Sequence, residues 1–195
     1  CDHLSVIQAF LARNVAAALQ PEEILRAEWA ARVSALDLYV HELVAQRMVD
    51  IFDGRVASCP GFSTFTVSME TMERVRAAAS PTDASAAFDL AVRDHLSRKT
   101  FQHPDDIAAG VRLCSGIALW NEVALHLGAT PRTKDAEAKR IKEELTQIVG
   151  RRNKIVHEGD LQPTIPRTPW PISQADVAFV SQSVSAIVHA IDAVV

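Results

Sequence analysis

Ile141-Lys142-Glu143-Glu144-Leu145-Thr146-Gln147-Ile148-Val149-Gly150-Arg151-Arg152-Asn153-Lys154-Ile155-Val156-His157 decides how this chain folds and where its chemistry lies. A helix turns by about 100° per residue. That places Ile141, Leu145, Ile148, Val149, Ile155 and Val156 on one apolar stripe about 120° wide. Arg152 falls near the centre of the stripe, where a core-facing helix normally carries an aliphatic side chain. A guanidinium stays charged and is almost never buried without a partner. Two outcomes are open. Arg152 faces an acidic group inside the protein, with Asp37 a candidate, or it points into an interface or site where a negative charge such as a phosphate arrives.

The same periodicity runs outward through the chain. Apolar positions Leu25, Trp29, Val33, Leu36, Val40, Leu43 and Val44 recur at intervals of three and four, predicting a long helix from about Pro21 to Asp53 that Gly54 ends. A first helix is expected from Ser5 to Gln20, peripheral to the core. Others are expected at Val67–Ala79, Thr82–Lys99, Asp105–Leu127 and Thr133–His157. Ser173 and Asp176 form a capping pair that opens a last helix to Val194. Asp105–Leu127 is apolar nearly all round, as a central helix would be. The loop carrying Pro163, Pro166, Pro169 and Pro171 cannot be regular structure. With no alternating strand pattern and only seven glycines, the 195 residues read as a single all-α domain, a bundle of five to seven helices.

Composition narrows the function classes. Cys1, Cys59 and Cys114 are odd in number and contain no CxxC pair, which fits a reducing compartment and a cytoplasmic location. No apolar run approaches the roughly 20 residues that span a bilayer, and Ala186–Val195 is broken by His189 and Asp192, so no membrane association is expected. The net charge of −4 argues against a general nucleic-acid binder. Yet Arg132 to Lys154 holds eight basic residues against four acidic ones, a window of +4 in a remainder of −8. Such asymmetry steers a polyanion to one face; its plainer meaning is a solvated helix of interspersed Lys and Glu.

The sequence Arg152-Asn153-x-x-x-His157 resembles the signature of the HEPN superfamily of all-helical domains, many of them metal-independent endoribonucleases. Ser34 to Glu42, Ala118 to Glu122 and Ile148 to Asp160 resemble its RiboL-PSP-HEPN subfamily, and the likeness extends from about residue 22 to the C-terminus. It implies a two-fold homodimer whose motif helices face each other across a cleft, with Arg152 and His157 catalytic. Geometry agrees with pairing: five residues apart, the two side chains diverge by about 140° on one helix, so a second copy is needed to bring arginine and histidine together. Asn153, one turn before His157, is expected to orient the imidazole. Asp37 and Glu158 are supporting residues, and Arg151 and Lys154 are expected to hold RNA phosphates.

The implied chemistry needs no cofactor and no metal ion. The RNA 2′-hydroxyl attacks the adjacent phosphorus to leave a 2′,3′-cyclic phosphate. Histidine suits the proton transfers because its reference pKa is about 6.5. DNA lacks the hydroxyl, so no DNA cleavage is expected. The resemblance further implies a toxin or phage-defence effector with a cognate antitoxin as partner. The alternative is a non-catalytic module of the same fold that binds RNA or nucleotide, or simply dimerises.

Other residues have competing readings. Asp37, with Ser34 and His41 beside it, sits either in the cleft or on a local polar flank. Glu158 and Asp160 either tune His157 or belong to an exposed loop. Phe62, Phe65 and Trp170 either stack on bases or pack, with packing preferred. Cys1-Asp2-His3 is too isolated to be read as a metal site.

Overall fold

A computed structural model describes residues 2–14 and 22–195. Among them lie nine helices and no strand: α1 (Asp2–Asn14), α2 (Glu22–Phe52), α3 (Pro60–Ser63), α4 (Met69–Arg76), α5 (Pro81–Leu96), α6 (Pro104–Val111), α7 (Leu119–His126), α8 (Lys134–Glu158) and α9 (Gln174–Val194). The expected helix end at Gln20, the start at Pro21 and the position of Cys1 lie outside the described residues.

α2 is the spine. Its 31 residues extend for about 46 Å, and Leu25, Trp29, Val33, Leu36, Val40, Val44, Met48 and Ile51 form one buried row along it. α8 and α9 pack on this row, and α7 lies against both of them. α5 packs on the other end of α2, and α4 packs on α5. α1 packs on α2, where Ser5 donates to the fully buried Glu28 and Gln174 of α9 donates to Gln8.

Nine helices replace the expected five to seven for two local reasons. A short α3 forms inside the loop after Gly54, where Pro60 supplies a fixed φ at the first helical position. The single helix expected over Asp105–Leu127 is two. Leu113, Cys114 and Ser115 donate back to Gly110 and Val111, closing α6 in tight turns, and the chain reverses before Leu119. Trp120 Nε1 then reaches the Pro104 carbonyl at 2.9 Å, residues that a straight helix would hold about 24 Å apart. Uniform apolarity signals burial and carries no information about a bend.

Ser173 and Asp176 form the expected reciprocal cap at the start of α9. By length and composition α9 is apolar enough to cross a membrane, a property that inspection of Ala186–Val195 alone overlooks. Its only charged residues are Asp176 and Asp192, and Val177, Val180, Val184, Ile187, Ala190 and Ile191 are buried in the bundle.

The aromatic residues of the 55–66 loop pack. Phe62 and Phe65 lie 5.9 and 6.3 Å from the Phe88 ring, which also stacks on Phe52 at 4.4 Å. Gly61 makes this possible, because a Cβ there would sit 1.8 Å from the Arg112 carbonyl oxygen. Backbone cannot yield as a side-chain tip does. Gly61→Ala is therefore expected to cost at least the roughly 1–3 kcal/mol of ordinary overpacking, read as a lower urea midpoint. A wild-type midpoint would contradict this close approach.

Candidate active site

The apolar stripe of α8 divides at Gly150. Ile141, Leu145, Ile148 and Val149 are buried, whereas Arg152 and Ile155 are half-buried and Val156 is 49% exposed. The last two turns of α8 thus emerge from the bundle and carry the motif with them.

Arg152 has no carboxylate partner among the described residues. Its Nη1 donates to Asn153 Oδ1 at 3.0 Å, and its Nε is buried with no hydrogen-bond partner. Other arginines nearby are neutralised. Arg140 bonds Glu137 and Glu144, and its guanidinium holds the Glu137 carboxyl below its ordinary value. Lys139 pairs with Glu143, and Lys142 lies 2.7 Å from Asp105, whose carboxyl it draws down in the same way. The middle of the basic window is therefore paired. Arg132 and Lys134 at the start of the window, and Arg152 and Lys154 at the motif, make no ion pair among the described residues.

His157 and Glu158 are exposed on the final turn, and among the described residues neither makes a hydrogen bond. The expected link from Asn153 to His157 is not present in this chain. The Asn153 carbonyl oxygen is taken by Arg152 instead, a nearer donor carrying full charge.

Asp37 stands apart from Arg152. Its carboxylate accepts the Phe101 N–H and Gln102 Nε2, and His41 Nε2 approaches at 3.6 Å. It fixes the chain leading into α6, and the expected partnership with Arg152 does not form.

Arg151 is also committed elsewhere. Its Nη2 donates to Asp160 Oδ2 at 3.1 Å and to the Pro171 carbonyl at 2.7 Å, and its guanidinium lies 5.0 Å from the Trp29 ring centroid. Gly159 and Asp160 take left-handed backbone angles, φ 66° and 53°, which turn the chain back on itself after α8. Asp160 thereby becomes fully buried, where a loop acid was expected to be exposed. Its Oδ2 also accepts Arg26 Nε at 3.2 Å, and Arg26 Nη2 reaches the Trp170 carbonyl at 2.7 Å. Trp170 N–H returns a bond to the Asp160 carbonyl, also at 2.7 Å. The Arg26–Asp160–Arg151 cluster therefore latches α2, the end of α8 and the proline-rich loop together beside the motif.

Sequence reasoning missed Arg26 and misjudged Asp160. The stripe test that singles out Arg152 also places Arg26 at the edge of the α2 stripe, about 60° from Trp29. No comparable signal marks Asp160, whose burial depends on the turn after α8. Among the described residues no group of three or more His, Cys, Asp or Glu is placed to hold a metal ion.

Chemically, the end of α8 offers an uncompensated guanidinium for an anion and a solvent-facing imidazole for proton transfer, on opposite sides of one helix. No known protein family, characterised protein or solved structure matches this chain.

Proposed function

We propose that this chain is an endoribonuclease of the HEPN type, acting as a two-fold homodimer in the cytoplasm without a metal ion. The observation that carries the reading is the half-buried Arg152, which lacks any carboxylate among the described residues while Arg26, Arg32, Arg140 and Arg151 each have one. A half-buried guanidinium with one nitrogen cut off from solvent and no counter-charge is suited to a phosphodiester.

In this reading the exposed apolar side chain of Val156 meets its symmetry mate. Arg152 of one copy and His157 of the other then flank a single phosphate. The 2′-oxygen bonds to phosphorus as the P–O5′ bond breaks; the His157 imidazole removes the 2′-hydroxyl proton and, once charged, gives a proton to the departing 5′-oxygen. Arg152 stabilises the charge gathered on the non-bridging oxygens. The resemblance further supports a toxin or phage-defence role, held in check by a cognate antitoxin.

Expression of the wild-type chain beside His157→Ala in bacteria tests the reading. Growth arrest and new 2′,3′-cyclic phosphate ends are expected with the wild type alone, with DNA of matching sequence left intact. RNA binding without cleavage by the wild-type chain would instead identify a non-catalytic binding module.

A further inference from the structure

A cavity of about 440 Å³ opens beside the latch, between the Gly150–Lys154 face of α8 and the loop bearing Asp160 and Trp170. Several features give it a ligand class. Asp160 lines the cavity with its side chain only 1% exposed; Oδ2 takes both arginines, but Oδ1 has no hydrogen-bond partner. Arg151, also in the lining, keeps Nε buried and unpartnered. An unmet acceptor and an unmet donor, both shielded from bulk water, are costly unless something meets them. A polar wall of this kind, beside an aromatic side chain, suits a nucleobase.

The remaining walls suit the same ligand. Trp170 is 42% exposed and offers an indole face, and a Cβ at Gly150 would meet nothing within 4 Å, so the α8 side is open. Lys154 stands exposed in the lining with no ion pair among the described residues. His157 follows one turn beyond Lys154, about 4.5 Å along the axis on an adjoining row of the helix.

We propose that this cavity is a base-binding subsite for single-stranded RNA. A nucleobase flanking the cut linkage stacks on Trp170 and leaves its phosphate on Lys154. The inference rests on the ribonuclease reading for the identity of the polymer, and on the cavity alone for base recognition.

The test measures binding, separately from cleavage. A fluorescein-labelled 2′-O-methyl adenine hexamer, which cannot be cut, is titrated against the wild-type chain and its variants by anisotropy. Trp170→Ala is expected to weaken binding about tenfold or more, and Trp170→Phe to restore most of the loss. The latch uses the backbone groups of Trp170 and not its indole, so Trp170→Ala should fold normally. Lys154→Ala, at an exposed position, supplies a second variant and should reduce the slope of log K against log salt by about one. An abasic residue at one hexamer position should cost the wild type as much as Trp170→Ala does, and cost Trp170→Ala little more. Wild-type affinity in Trp170→Ala, or equal abasic penalties in both proteins, overturns the subsite. RNA cleavage with Trp170-independent binding removes this inference alone; Trp170-dependent binding without cleavage removes the ribonuclease reading and leaves the subsite standing.

Discussion

His157→Ala is expected to lower the rate of RNA cleavage by about 10²–10⁴-fold, the usual worth of a positioned general acid or base. Arg152→Ala should lose a comparable factor of about 10²–10³ through lost stabilisation of transition-state charge. Neither change should unfold the chain. His157 is exposed and makes no hydrogen bond among the described residues, and Arg152 bonds only its neighbour Asn153. The sharper result comes from mixing. The two side chains diverge by about 140° on α8, so a productive pair draws on both copies. A dimer of one Arg152→Ala chain and one His157→Ala chain retains one intact Arg–His pair across the two-fold axis. Unfolding and refolding the inactive variants together should therefore restore measurable cleavage, which neither recovers by itself. Persistent inactivity of the mixture, with dimers verified, would mean that both residues act from one chain or that all four are needed.

Asp160→Ala is the change expected to damage stability most. It leaves Arg26, with 8% of its side chain exposed, and Arg151, at 24%, facing each other without the shared carboxylate. Breaking a buried ion pair from one side typically costs about 3–5 kcal/mol. In a chain of this size each kcal/mol moves Tm by about 2–4 °C, so a fall of roughly 10 °C is expected by calorimetry. Trypsin should also cut more readily at Arg167 as the loop comes free. Asp160→Asn should be milder, because asparagine tolerates the left-handed backbone and still offers an acceptor. A Tm within 2 °C of wild type for Asp160→Ala would mean that the latch contributes little; the limit is set at about the shift of 1 kcal/mol.

The helical class and most helix positions were readable from periodicity, since α2, α8 and α9 each bury one stripe against a common core. The capping pair Ser173 and Asp176 was equally readable, because caps are local and depend on residues three or four apart. The split of α6 from α7 was not, since apolar residues on every side satisfy a straight helix and a reversed pair alike. Membrane-scale apolarity in α9 shows only over the full element, because His189 and Asp192 break its final ten residues.

At the site the same division holds. Arg152 as an anomaly, and its divergence from His157, follow from residue type and helical pitch alone. Which carboxylate each arginine meets does not, because that is set by segments distant in the chain. Arg26 and Asp160 are 134 residues apart and meet only after the left-handed turn at Gly159 and Asp160 folds the loop back onto α2. That tertiary closure pairs Arg26 and Arg151 through Asp160; separately, Asp37 meets Phe101 and Gln102, and Arg152 is left without a carboxylate among the described residues. Local spacing thus supplied the charged groups, and long-range packing decided which of them remain unpaired, because only the folded chain brings counter-charges within reach.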